Sequence, residues 1–168
     1  SRKSGMAGRM KRLLIVWHSR TGAARAMAGA AADAAAAEDG IEVVSKPAEQ
    51  ATAEDLLAAD GYLFAAPENL AALSGEMKAF LDRTYYPALE RLNGRPYAAM
   101  IAAGSDGTGA ARQLARIATG WRLKPVAETV IVCTHAQTPE AILAEKRLSD
   151  ADLAPCRELG ATLAAGLA

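Results

Sequence analysis

Short apolar runs alternate with helix-forming stretches along the chain. Residues 13–17 are continuously apolar, and comparable runs recur at 62–66, 96–103 and 129–133. A short run at 41–44, Ile-Glu-Val-Val, contains one acid and is also predicted as a strand. An apolar run without polar alternation is typical of a strand that is buried on both faces, as in a parallel sheet. The pattern therefore predicts five parallel strands.

Helix-starting and helix-ending residues lie between these runs. Residues 21–38 are dominated by alanine, the strongest helix former, and Gly40 follows where a left-handed cap is common. Pro67 is expected to end the third strand, because proline cannot donate to a central ladder, and 68–73 to form a loop. Later helix starts are predicted at Thr52, Ser74, Thr138 and Ser149, and Pro87 and Gly120 mark helix ends.

Alternating strands and helices imply crossover connections between parallel neighbours, and such crossovers are right-handed. The expected fold class is α/β, a doubly wound parallel sheet with helices on both faces. No linker or repeat interrupts the pattern, so residues 10–168 are predicted to form a single domain. Residues 1–9 are expected to be an artificial remnant or a disordered N-terminus.

Composition and charge narrow the function. The chain has 168 residues, and its 19 basic and 19 acidic side chains cancel, which disfavours nucleic acid and favours a small-molecule partner. Cys133 and Cys156 lack the spacing of a redox pair or a metal site, and they fit a cytoplasmic location. No apolar run has the length of a membrane span.

The loop after the first strand is the strongest candidate for chemistry. In an open parallel sheet, ligands bind beyond the carboxyl ends of the strands. Backbone N–H groups at a helix start, together with hydroxyls and a glycine, favour a bound phosphate. The alternative is that Ser19 and Thr21 only cap the helix. Loop one consists of Ser19, Arg20, Thr21, Gly22, Ala23 and Ala24.

Two further loops lie at the same predicted edge. Their glycines and main-chain groups suit the edge of a flat heterocycle, although each loop is also an ordinary connection. The chain lacks the dinucleotide G-x-G-x-x-G and the triphosphatase G-x-x-x-x-G-K-[ST], and His18 and Pro67 stand where a phospho-acceptor receiver needs acids. Loop two consists of Pro67, Glu68, Asn69, Leu70 and Ala71, and loop three of Gly104, Ser105, Asp106, Gly107, Thr108 and Gly109.

Taken together, loop one, the segment 60–69 and the segment 74–83 resemble the flavodoxin-like superfamily. They are most similar to its NAD(P)H-dependent, FMN-containing oxidoreductases and quinone reductases, which share the helix pattern S-G-x-[ML]-K-x-F-x-D-R of 74–83. The resemblance implies strand order 2-1-3-4-5 and non-covalent FMN, with phosphate in loop one and the ring between loops two and three. Ala24 replaces a second threonine of many flavodoxins, and Ala65-Ala66 a glycine-threonine pair.

The resemblance also implies an activity. NAD(P)H would reduce the flavin, and a quinone or similar acceptor would then take the electrons in a ping-pong cycle; no catalytic side chain is assigned. An electron carrier is disfavoured by the zero net charge and by loops without aromatic residues, and a non-catalytic flavin-binding regulator stays open. A homodimer or higher oligomer is implied at family level. Structural roles are expected for Tyr85, Tyr86 and His135, and an inert, buried strand position for Cys133.

Overall fold

A parallel sheet forms the centre of the molecule. The computed structural model describes residues 10–168, so the expectation for residues 1–9 lies outside the described part. The strand order is β2-β1-β3-β5-β6, β7 also pairs with β5, and β4 pairs antiparallel with β3. The strands are β1 Lys11–Trp17, β2 Ile41–Pro47, β3 Gly61–Asn69, β4 Ala72–Leu73, β5 Pro96–Ala103, β6 Lys124–Pro125 and β7 Val130–Cys133.

The predicted strand order 2-1-3-4-5 is confirmed. Predicted strand four is β5, and the short strands β6 and β7 together occupy the place of predicted strand five. Both β6 and β7 run parallel to β5, and they pair with opposite ends of it. The first of them pairs with Pro96 and Tyr97 and the second with 100–103. The fold is therefore the predicted doubly wound sheet with an interrupted outer strand.

Helices cover both faces of the sheet, as the sequence predicts. Along β1, Leu14 and Val16 contribute to the core under α2, α3 and α4, whereas Leu13 and Ile15 contribute to the core under α1 and α6. No helix within residues 10–168 is long and apolar enough to cross a membrane. The helices are α1 Ala23–Ala36, α2 Ala53–Ala58, α3 Gly75–Ala88, α4 Thr108–Gly120, α5 Pro139–Leu143 and α6 Asp150–Leu167.

Small residues bring α1 and α6 into close contact. Ala28, Ala31 and Ala35 on α1 are buried, and a Cβ atom at Gly160 of α6 would overlap the backbone of Ala31. Larger side chains at these positions would push the two helices apart. The alanine content of α1 therefore serves packing as well as helix propensity.

The prediction that Pro67 ends the third strand is wrong. Strand β3 continues to Asn69, because 68–69 pair with β4 in a hairpin. The backbone groups of Ala65 and Pro67 point to the same side, and the Ala65 carbonyl accepts from the N–H of His18, where β1 has just ended. The missing N–H of Pro67 therefore faces the side where β1 has ended, and on that side the Pro67 carbonyl accepts from the N–H of Ser74, directly after β4.

Two further boundaries differ from the prediction. Gly107 is the N-cap of α4 with φ 89°, so Thr108 and Gly109 belong to the first helical turn rather than to a turn before it. Pro87 lies inside the last turn of α3, which ends at Ala88. The predicted N-caps Thr52 and Ser149 both form capping boxes, with Asp55 and Asp152 respectively.

Candidate functional site

The three predicted loops meet at one open cavity beyond the carboxyl ends of β1, β3 and β5. Its cavity volume is about 100 Å³, and the cavity opens to solvent. Of the predicted residues, those in its wall are Ser19, Arg20, Thr21, Ala23, Ala24, Pro67, Glu68, Asn69 and Gly104. Those outside its wall are Gly22, Leu70, Ala71, Ser105, Asp106, Gly107, Thr108 and Gly109.

Loop one leaves the N-terminus of α1 without a side-chain cap. The N-cap Gly22 has a left-handed φ of 108°, and its own N–H donates to Ser19 Oγ at 3.0 Å. Within residues 10–168, this N-terminus has no side-chain cap, and no acidic residue lies in its first turn. Because the first N–H groups of a helix have no intrahelical acceptor, those of α1 stay available to an anion. Plain capping by Ser19 or Thr21 therefore does not describe this loop.

Loop two is the tip of the β3–β4 hairpin. Leu70 and Ala71 have positive φ values of 52° and 66°, and the Leu70 side chain is fully exposed. Two successive left-handed residues are what a tight hairpin turn requires, although glycine or asparagine is the usual choice. The turn carries Leu70 away from the cavity wall, whereas Pro67 and Asn69 remain in it.

Glu68 connects loop two to loop three. Its Oε1 accepts from the N–H of Gly107 at 2.8 Å and its Oε2 from the N–H of Ala110 at 3.0 Å. The carboxylate thus caps α4 from another element, and its negative charge lies at the positive end of the helix dipole. Gln113 adds a second link, because its Oε1 accepts from the N–H of Leu73 at 2.7 Å.

The glycines of loop three permit contacts within the protein. A Cβ at Gly109 would overlap the carbonyl of Ala71, and one at Gly104 would lie 3.2 Å from the carbonyl of Ala136. Asp106 accepts from the N–H and the hydroxyl of Thr108, and these hydrogen bonds lower the pKa of the Asp106 carboxyl. Loop three therefore packs tightly against loop two and the segment after β7.

Sequence reasoning missed the far wall of the cavity. This wall includes Ala102 and Ala103 at the end of β5 and, from the segment after β7, Thr134, Ala136, Ile142 and Lys146. The N–H of Lys146 donates to the carbonyl of Thr21 at 2.8 Å, which joins the segment to loop one. No motif marks these residues. They follow the last strand of the sheet, and the carboxyl ends of all the parallel strands share one edge. This position could have indicated that they lie near the site.

A buried histidine lies directly before loop one. His18 Nδ1 lies 3.0 Å from Ser74 Oγ, and His18 Nε2 lies 3.4 Å from Glu76 Oε1. Both His18 and Ser74 are buried. Ser74 thus joins loop one to the start of α3 and does not cap that helix with its side chain.

The other residues considered in the sequence lie outside the cavity wall. Tyr85 stacks on Trp121 with ring centroids 5.6 Å apart, so it packs against the end of α4, while Tyr86 is exposed. His135 is exposed and has a φ of 61°. The expectation of a buried Cys133 is wrong, because the residue is half-buried: β7 is short and lies at the outer place of the sheet.

Among residues 10–168 no group of three or more His, Cys, Asp or Glu side chains could hold a metal ion. The donors around the cavity are instead main-chain N–H groups, hydroxyls and cationic side chains. Such a donor set suits an anionic organic ligand.

Comparisons with known proteins agree on the fold. Residues 10–137 match the family model described as NADPH-dependent FMN reductase. A protein named flavodoxin from Aquifex aeolicus (strain VF5) is 33% identical over 100 residues, which are 60% of this chain and 54% of that protein. The match thus spans about half of the length of that relative.

Solved structures show the same architecture. Oxidised Flavodoxin 1 from Bacillus cereus superposes with a TM-score of 0.76 and 19% identity over 94% of this chain and 100% of that one. A flavodoxin, WrbA-like protein from Agrobacterium tumefaciens superposes with a TM-score of 0.67 and 18% identity over 94% and 97%. The predicted flavodoxin-like fold is confirmed.

Proposed function

Because this chain belongs to the family of NADPH-dependent FMN reductases, we propose that its cavity binds FMN non-covalently. Residues 10–168 act as one domain in this proposal. When bound, FMN would supply two-electron chemistry between NAD(P)H and a quinone or similar small acceptor. The contribution of the protein is to bind the flavin and to leave one of its faces open to the two substrates.

The uncapped N-terminus of α1 is the observation that carries the proposal. Side chains cap the starts of α2, α4, α5 and α6, and that of α3 lacks a side-chain cap but has the acidic Glu76 in its first turn. Within residues 10–168, the start of α1 has neither a side-chain cap nor an acidic first turn. The small side chains of Ala23 and Ala24 line the cavity at this point and leave room for phosphate oxygens. The N–H groups of the first turn and the hydroxyl of Thr21 would hold the phosphate.

In the same proposal the flavin ring lies between loops two and three. Pro67, Glu68, Asn69 and Gly104 line the cavity there and would contact the ring. Among the residues of loops two and three outside the cavity wall, Gly107 would support the wall through the bond of its N–H to Glu68. No charged side chain is assigned to proton transfer.

Titration with FMN tests the binding step. Purified protein should quench the fluorescence of added FMN with a defined stoichiometry, and Thr21→Val should weaken that binding severalfold. Thr119→Val is the matched control, since its hydroxyl bonds to the carbonyl of Ala115 on the exposed face of α4. Protein that leaves the fluorescence of FMN unchanged would refute the proposal.

An electron carrier is the second candidate function. The relative named flavodoxin supports it. The formal net charge of zero and the absence of aromatic residues from 67–71 and 104–109 favour the reductase, because nicotinamide or a quinone needs an open ring face. NADPH oxidation in the presence of a benzoquinone separates the two. Flavin-loaded protein that does not consume NADH or NADPH would leave the carrier or a flavin-binding regulator.

A further inference from the structure

Lys146 places a positive charge at loop one from a distant part of the chain. It lies in the connection between α5 and α6, beyond the residues 10–137 that the family model matches. Its Nζ lies 3.2 Å from Thr21 Oγ1 and its N–H donates to the carbonyl of Thr21 at 2.8 Å. Its carbonyl lies 3.6 Å from the position of a Cβ on Gly22. The residue therefore lies directly against the predicted phosphate loop.

The ammonium group of Lys146 has no carboxylate partner within the described part of the chain. Its other two hydrogen bonds go to the carbonyls of Ile142 at 2.8 Å and Ala144 at 2.7 Å. The one carboxylate in the cavity wall, that of Glu68, is occupied by two N–H groups at the opposite loop. A half-buried cation that only neutral groups hold is a favourable neighbour for an anion.

The contact with Lys146 also fixes the role of the Thr21 hydroxyl. An ammonium group donates hydrogen bonds and accepts none, so Thr21 Oγ1 is the acceptor in this pair. The proton of the Thr21 hydroxyl is then available to another acceptor. A phosphate oxygen at loop one would thus receive a hydroxyl donor and a nearby positive charge at once.

From this arrangement we propose that Lys146 is the counter-charge of the ligand phosphate. It makes the cavity select a flavin phosphate ester over the same flavin without phosphate. This inference rests on the proposed function. It assigns phosphate recognition jointly to loop one and to the segment before α6, rather than to loop one alone.

The test compares FMN with riboflavin, which share the ring but not the phosphate. Wild-type protein should bind FMN more tightly than riboflavin. Lys146→Met should raise the Kd for FMN about tenfold, the factor that corresponds to a loss of about 1.4 kcal/mol of attraction between the ammonium group and the phosphate. Its Kd for riboflavin, which has no phosphate, should stay within about twofold of wild type. Lys146→Arg, which keeps the charge, should retain most of the FMN affinity. Added salt should weaken FMN binding by wild type more than by Lys146→Met.

Lys124→Met is the matched control, because Lys124 is exposed on β6 and its N–H pairs with Arg95, away from the cavity. It should bind both flavins as wild type does. The inference is overturned if Lys146→Met binds FMN normally, or if it loses FMN and riboflavin affinity equally, which would indicate a structural role. Equal binding of both flavins by wild type refutes this inference and the phosphate contacts proposed for loop one, but it still supports a flavin in the cavity. Wild type that prefers FMN, together with normal FMN binding by Lys146→Met, refutes this inference alone. Wild type that binds neither flavin refutes both this inference and the proposed function.

Discussion

Replacing Glu68 by glutamine should weaken the hydrogen bonds that connect loop two to loop three. The carboxylate accepts from Gly107 and Ala110 at 2.8 and 3.0 Å, whereas a glutamine amide offers one acceptor and turns an N–H donor toward the other site. Hydrogen bonds to charged groups contribute about 1.5–3 kcal/mol each, and a negative charge at a helix N-terminus contributes about 0.3–1 kcal/mol. We expect Glu68→Gln to lower the free energy of unfolding by about 2 kcal/mol.

Urea unfolding and thermal melting measure this loss. For a chain of this size, 2 kcal/mol corresponds to a fall in Tm of about 4–8 °C. Hydrogen exchange at the amides of Gly107 and Ala110 should accelerate in the same variant. Glu158→Gln on the exposed face of α6 is the control, and it should leave Tm nearly unchanged. A Glu68→Gln protein with wild-type Tm and wild-type exchange at both amides would show that the carboxylate is not the link between the loops.

Three further variants or measurements test other parts of the molecule. Ser74→Ala removes the buried partner of His18 Nδ1, and urea unfolding should show a loss of about 1–3 kcal/mol. Gly107→Ala forces an L side chain to a φ of 89° and should destabilise by more than about 1 kcal/mol in the same assay. Burial raises the pKa of the Cys156 thiol to about 11, so at pH 8 a thiol reagent should label the half-buried Cys133 first.

Controls accompany these variants. Ser45→Ala, on the exposed side of β2, should change stability by less than about 0.5 kcal/mol. Gly29→Ala, in α1 with nothing within 4 Å of an added Cβ, should stabilise by about 0.5–1 kcal/mol. A Ser74→Ala protein as stable as Ser45→Ala, or Gly107→Ala as stable as Gly29→Ala, would contradict the structural argument.

The raised pKa of the Cys156 thiol also predicts how the stability of the protein depends on pH. The pKa of its thiol is higher in the folded protein than the ordinary value of 9.0, so the folded state retains a proton that the unfolded state has lost. The stability from this group is present below pH 9 and declines as the pH rises toward 11. Equal labelling of Cys133 and Cys156 in the native protein would refute the burial argument.

The order of the strands and helices could be predicted from the sequence, because neighbouring residues determine where each of them forms. Apolar runs such as 13–17 need burial on both faces, and Thr52 and Ser149 each stand three residues before the acid of a capping box. The continuation of β3 past Pro67 could not be predicted from the sequence. It depends on where the neighbouring strand β1 stops, and nothing near Pro67 in sequence carries that information.

The candidate site was predictable only on one side. Loops one to three follow strands whose carboxyl ends share an edge, so their meeting follows from the topology. The contact between Thr21 and Lys146 joins residues 125 positions apart. Likewise, Glu68 was expected to line the flavin, and no local pattern indicated that its carboxylate caps a helix that starts 40 residues later.

The divided outer strand also bears on how copies of this chain can aggregate. An edge strand exposes N–H and C=O groups onto which another chain can add a strand, and long, flat edges are the dangerous ones. Here β6 has two residues and β7 four, and Pro125 offers no N–H. An incoming strand would find only four consecutive residues beside the cavity. The short strands therefore disfavour fibril-like growth on that side, and β2, with seven residues, is the longer edge.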